Sequence, residues 1–225
     1  MMKQIMIALV LILSIIVVGC TNKEEEKVNK EEKEVSTVNE VTEEETKEDA
    51  PKKETTLDED SMKRYRPEVG VKKTFIEAGD FAGLQEEFPY GNEDYIQRVV
   101  RIGESVAVQV YKWTENEISL VLEEKDLEDP NKNYLSDLSE EVQDTLYAEN
   151  GGANWEIVSE NETVEVPYGK FTNVYVLRKV TDEVEGADTI YTYYIAPEVG
   201  LIKETFELTG EQGYSAESVL QTVEK

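Results

Sequence analysis

From Lys72 to Val223 the chain repeats one pattern, short runs of β-branched and aromatic residues each closed by turn-forming residues. That pattern predicts an antiparallel, β-rich domain. The clearest runs are 95–102 and 105–113, joined at Gly103-Glu104. In the second, Val106, Val108 and Val110 alternate with Ala107, Gln109 and Tyr111, the two-residue period of a strand with one apolar face. The pair reads as a hairpin. Weaker strands are expected at 72–78 and 84–88, then a turn at Pro89-Tyr90-Gly91-Asn92 and a fifth strand at 118–124. Further strands are expected at 155–159, 163–166, 171–180, 189–196, 201–208 and 214–223, separated by turn-type residues at 167–169, 182–188, 197–200 and 209–213. Consecutive strands with short connections usually pair, so the simplest arrangement is a curved antiparallel meander or half-barrel.

One segment has a different period. Tyr134, Leu138, Val142 and Leu146 recur every fourth residue with Leu135 alongside, while Ser136, Asp137, Glu140, Glu141 and Asp144 occupy the other faces. This predicts an amphipathic helix, ended by Gly151-Gly152, that covers one side of the sheet. The run 216–223 also carries a helical stripe in Val219, Leu220 and Val223, so strand and helix are both open there. The expected fold class is mainly β, of α+β type.

The first residues follow neither period. Ile5 to Val18 is apolar except for Ser14, with Lys3 as the only upstream charge. A membrane-spanning helix needs roughly 20 apolar residues, and this run is shorter, so residues 1–19 are expected to be a signal peptide removed on export. Val17-Val18-Gly19-Cys20 resembles a bacterial lipobox, although leucine and a small residue are commoner than Val17 and Val18. The resemblance implies that the Cys20 thiol takes a diacylglyceryl group and becomes the mature N-terminus, anchoring the protein to the outer side of the cell membrane. With two or three acyl chains the attachment is stable. Cys20 is the only cysteine, so no internal disulfide forms and a packed core must supply stability.

Residues 20–60 change the picture again. From Thr21 to Asp60 there are 7 Lys and 16 acidic residues and no sustained apolar stripe, since Val28, Val35, Val38 and Val41 are too sparse to dock a helix. Such a segment buries too little apolar surface to offset chain entropy and is expected to be a disordered acidic tether. As a flexible coil it spans about 35 Å, enough to lift residues 61–225 off a bilayer and into a thick wall, which points to a Gram-positive envelope. The whole chain has a formal charge of −27. Nucleic acid needs a basic patch and is therefore an unsuitable partner. The clustered cations, Lys63-Arg64-Tyr65-Arg66 and Lys72-Lys73, read as solvated charges near the start of the domain.

Residues 162–180, ETVEVPYGKFTNVYVLRKV, and 191–208, YTYYIAPEVGLIKETFEL, together resemble a pattern near the C-terminus of many bacterial secreted proteins and lipoproteins without an assigned role. In that pattern a strand ends at a Val-Pro-Ala-Gly-like turn, a Phe opens the next strand, and a Tyr-Tyr-Ala-Pro-Gly-Val-Gly-Leu-Val-Lys-like hairpin follows. This chain departs from it at Tyr168, Ile195 and Glu198. The resemblance implies a curved antiparallel sheet like that of periplasmic lipoprotein carriers and no particular activity. Pro167, Gly169, Pro197 and Gly200 are accounted for by turn chemistry.

Catalytic chemistry has little to work with. The absence of histidine removes Ser-His-Asp and Cys-His catalysis and histidine-based zinc sites. Glycine-rich phosphate loops are missing as well. The adjacent acids Glu86-Glu87 and Glu123-Glu124 point to opposite faces of a strand, with one of each pair solvated, and make no acid–base dyad. Asp129, Asn131, Asn133, Asp137 and Glu140 fit positions 1, 3, 5, 9 and 12 of a calcium loop, but Tyr134 stands where glycine is needed and Pro130 is at position 2. A helix entry capped by Asn133 explains them instead. No metal or cofactor is expected. Tyr191 and Tyr193, with Trp155, are the candidate ligand-binding residues, on one face of a curved sheet with Tyr175 in the neighbouring strand. Cross-strand packing of the same rings is the plainer explanation. The expected role is a membrane-anchored, non-enzymatic binding or adaptor domain with an envelope protein as partner; the alternative is a carrier or sensor of a small hydrophobic ligand.

Overall fold

The computed structural model describes residues 61–77, 83–125, 127–136, 138–139, 141–211 and 213–225; the expected signal peptide at 1–19 and the tether with Cys20 at 20–60 lie outside them. Eleven strands form one antiparallel sheet: β1 (Lys72–Glu77), β2 (Leu84–Gly91), β3 (Tyr95–Ile102), β4 (Ser105–Trp113), β5 (Glu117–Lys125), β6 (Asp144–Ala148), β7 (Glu156–Val166), β8 (Gly169–Val184), β9 (Ala187–Ala196), β10 (Gly200–Leu208) and β11 (Tyr214–Glu224).

The order across the sheet is β6-β5-β4-β3-β2-β1-β11-β10-β9-β8-β7. It is two meanders, β1 to β6 and β7 to β11, stitched where Lys72–Glu77 pairs with Ser218–Glu224. The sequence neighbours β6 and β7 therefore lie at opposite edges. Laid flat, eleven strands would be about 48 Å wide, whereas the seven residues between Ala148 and Glu156 span at most about 28 Å. The sheet must curl until its edges approach. At this seam Asn154 N–H donates to Thr145 O at 2.8 Å. Asp144 of β6 accepts hydrogen bonds from Asn154 Nδ2 at 2.9 Å, Trp155 Nε1 at 3.0 Å and Lys179 Nζ of β8 at 2.9 Å. The result is the expected half-barrel. Its edge strand β7 is mostly exposed and carries three register shifts against β8, irregularities that discourage pairing with another chain.

The expected helix is absent from the described residues, whose only helical turn is the 3-10 helix Met62–Tyr65. Residues 134–136, 138–139 and 141–143 follow turns and irregular paths, and 144–148 is strand β6. Leu146 is buried while Val142 is 46% exposed, so the four-residue spacing does not mark one packed face. The buried Gln97 amide explains why an irregular path is stable. Its Nε2 donates to Lys132 O and its Oε1 accepts from Tyr134 N–H, both at 2.9 Å, as a peptide group in a neighbouring strand would. Gln143 N–H then donates to Leu120 O of β5 at 2.8 Å. The segment is thereby held against the sheet by local hydrogen bonds.

Two turn expectations also change. β2 continues through Pro89 to Gly91, and the register shifts between Glu87 and Tyr90 because proline has no N–H for the ladder. The separator at 182–188 shrinks to Glu185-Gly186, with Gly186 at φ +77°. The 95–102/105–113 hairpin forms as expected, Ile102 pairing with Ser105 and Gly103 at φ +59°. The last run is strand β11.

One end of the half-barrel is closed by residues 61–71. Ser61 caps the 3-10 helix, and Met62 and Tyr65 are buried in the main core with Trp113 and Ile118. Met62 N–H donates to Glu115 O at 2.8 Å, and Trp113 Nε1 donates to Met62 O at 2.8 Å. Tyr65 Oη donates to Asn173 O at 3.0 Å and Glu198 N–H to Arg64 O at 2.6 Å, so the segment reaches both halves of the sheet. Gly200, at φ +74°, has its missing Cβ position 3.0 Å from Pro67 Cδ, so a side chain there would be strained and would have to displace Pro67.

Candidate functional site: buried charges and a cavity in the concave face

Three neighbouring strands carry the same motif. Val71-Lys73-Phe75, Leu84-Glu86-Phe88 and Ile96-Arg98-Val100 are alternate residues along β1, β2 and β3 and the approach to β1, and all nine are buried. The pleat therefore turns each charged side chain to the same side as its apolar neighbours. Lys73 is paired in register with Glu86, and β2 lies between β1 and β3. Lys73 Nζ lies 2.7 Å from Glu86 Oε2 and donates to Leu201 O at 2.8 Å and Val199 O at 3.2 Å. Its ammonium also sits 5.1 Å from the Phe88 ring and 5.4 Å from that of Phe75, a cation–π cage. Arg98 Nη2 donates to Glu86 Oε1, while Nη1 donates to Gln109 Oε1 at 2.7 Å. Tyr111 Oη lies 3.2 Å from the same Gln109 oxygen.

Against this cluster lies a cavity of about 40 Å³. Glu86, Arg98, Tyr111 and Tyr193 are its polar lining; Phe88, Trp113, Leu146 and Ile195 are its apolar walls, with Pro67 and Leu201 completing it. Burial pushes Glu86 up, but Arg98 and Lys73 outweigh it and hold the carboxyl below its ordinary value. Burial also lowers Lys73, with Glu86 opposing. Tyr111 and Tyr193 are both raised, chiefly by burial, and Tyr193 well above its ordinary value with Glu204 adding to the effect. Both phenols are therefore protonated at neutral pH and can donate hydrogen bonds.

No protein-family model and no curated protein matches the sequence. Two solved structures are similar to it. One is a candidate lipoprotein of Parabacteroides distasonis, 10% identical, with 71% of this chain and 98% of that one covered at a TM-score of 0.45. The other is a candidate exported protein of Bacteroides fragilis with a YmcC-like fold, 13% identical, with 71% and 97% covered at a TM-score of 0.39.

The three expected ligand-binding residues divide. Tyr193 lines the cavity, and the buried Trp155 packs against it, ring centroids 4.6 Å apart, while donating to Asp144. Tyr191 instead meets Phe206 at 5.4 Å, which in turn meets Tyr214 at 5.3 Å, a ring row apart from the cavity lining. Tyr194 is on the opposite face, where Lys203 Nζ lies 5.3 Å from its ring. Tyr175 packs between Tyr65 and Tyr147, at 5.0 and 6.0 Å. The reading of Lys72-Lys73 as solvated is corrected for Lys73, whose side chain is fully buried, and retained for Lys72, which pairs with Glu87 at 3.1 Å. Glu86 and Glu87 do point to opposite faces, the first buried and the second partly exposed.

Of the calcium-loop residues, Asp137 and Glu140 lie outside the described residues. Asp129 Oδ1 accepts from Asn131 N–H and Asn133 Oδ1 from Leu135 N–H, local turns that need no ion. Among the described residues no group of three or more acidic, cysteine or histidine side chains is placed to hold a metal. Sequence reasoning missed Lys73, Glu86 and Arg98. The available signal was a charge in the middle of an otherwise apolar alternation, repeated in adjacent strands.

Proposed function

We propose that the protein is a lipid-anchored, extracytoplasmic binding protein that acts without catalysis and holds a small apolar or amphipathic ligand in the concave face of its sheet. The observation that carries this reading is the cavity, with aromatic and aliphatic walls, a few convergent polar groups, and residues 61–71 across one end. Non-catalytic action is supported by the state of the polar groups. Glu86 is held ionised between two cations, both phenols stay protonated, and no histidine exists to act as base. Anchoring rests on the apolar run and Cys20, and the length of the acidic tether suits a thick Gram-positive wall.

The test is native mass spectrometry of the protein released from its own envelope. A small molecule should accompany the wild type and Tyr194→Ala, because Tyr194 is on the far face, and be lost from Tyr193→Ala. A protein partner in place of a small molecule, retained in Tyr193→Ala, would replace this reading with an adaptor that binds through its outer surface.

A further inference from the structure

We propose that the concave cavity takes the carboxylate of a small amphipathic acid, held by the Arg98 guanidinium and the Tyr193 hydroxyl. This rests on the reading of the cavity as a ligand site and names the chemistry of its occupant. The first ground is an imbalance of donors. Arg98 is 8% exposed and offers five N–H groups, against three acceptors among the described residues: one oxygen of Glu86, one of Gln109 and the Tyr111 hydroxyl. The Tyr193 hydroxyl, on the same cavity, has no hydrogen-bond acceptor among the described residues, its ring being packed on Trp155. Lys73 is not part of this surplus, because its ammonium reaches Glu86 and two carbonyls.

Geometry and size then select the acceptor. A guanidinium edge matches the two oxygens of a carboxylate, and the charge-assisted bonds strengthen among apolar neighbours such as Phe88, Trp113 and Ile195. A cavity of about 40 Å³, against the roughly 10–15 Å³ that holds one water, has room for only a few heavy atoms. It admits a carboxylate head, and the rest of the molecule has to extend out of it. Glu204 is the competitor. It pairs in register with Tyr193 across β9 and β10, and its charge acts on both Arg98 and Tyr193.

Calorimetric titration of the full chain with sodium hexanoate and with 1-hexanol tests the proposal. Hexanoate should bind about tenfold more tightly than the alcohol, the worth of one charge-assisted hydrogen bond. Tyr193→Phe, which removes only the hydroxyl, should weaken hexanoate severalfold and leave hexanol unchanged, and Glu204→Gln should tighten hexanoate. Equal affinities for acid and alcohol, both lowered by Tyr193→Ala, would overturn the carboxylate assignment while leaving the cavity as an apolar site. Hexanoate binding indifferent to Tyr193→Phe and Glu204→Gln would overturn it too, by placing the acid elsewhere. Failure of the wild type to bind either probe would remove both this proposal and the ligand-site reading beneath it.

Discussion

Lys73 and Arg98 reach the Glu86 carboxylate from the strands on either side of it, with no bulk water around the central charge. Desolvating such groups costs several kcal/mol per ion, which their attraction and hydrogen bonds only roughly offset. The cluster is therefore a poor device for stability alone, and each member depends on the others. Lys73→Met should cost about 3–5 kcal/mol, because it leaves Glu86 with one cation and removes a donor from the carbonyls of Val199 and Leu201. Replacing all three together, Lys73→Met, Glu86→Leu and Arg98→Met, should be neutral or stabilising by about 1–4 kcal/mol. Urea midpoints of the two variants decide the matter: a triple variant less stable than the single one would mean that the charges hold the fold together. Glu198 shows a second kind of residue-scale tension. It takes φ +66° where the resembled pattern has glycine, and the turn is retained because its N–H is held by Arg64 O.

At the scale of elements, Asp144 does more than its place in a five-residue strand suggests, since it ties β6 to Asn154, Trp155 and β8 across the seam. Burial raises its carboxyl, but the hydrogen bonds from Trp155 and Lys179 prevail and leave it below its ordinary value. A carboxyl lowered in the folded state stabilises fully above the ordinary value of about 3.9, and that contribution is lost as pH falls through the folded one. Asp144→Asn should cost about 1–3 kcal/mol at pH 7 and flatten the loss of thermal stability below pH 4. Glu86 has the same sign of shift, so some acid sensitivity should remain. An unchanged melting temperature at pH 7 would show that the seam does not need this tie. Neither β6 nor its role was legible in the sequence, because Leu146 completes a four-residue spacing that reads as helix. What defeats the helix is a distant amide, Gln97, and such a contact has no local signature. By contrast, 95–102 and 105–113 were legible because alternation and the Gly103 turn agree. At the site, Tyr193 could be placed by its face of the strand, but Arg98 and Glu86 looked like ordinary charges in an acidic chain until the register of β1 to β3 put them together.

For the whole molecule, the proposed anchor is a single atom, the Cys20 thiol, and it has a direct test. Cys20→Ser should move the protein from the membrane fraction to the medium and abolish incorporation of labelled palmitate; a cleaved, unlabelled chain that stays with the membrane would remove the anchor. The pairing of β1 with β11 has a different consequence, in time. Lys72 lies beside Glu224, and Glu68 meets Lys225 at 2.5 Å, so the two halves of the sheet join through the first and last strands of the domain. Contacts so distant in sequence form slowly, after the intervening loop has closed. A chain that crosses a membrane N-terminus first has its earliest strand outside while its closing partner is still within the channel. The half-barrel then cannot be completed on the near side before β11 is made, nor on the far side until β11 has emerged. If the proposed export holds, this topology delays the joining of the two meanders until β11 has crossed.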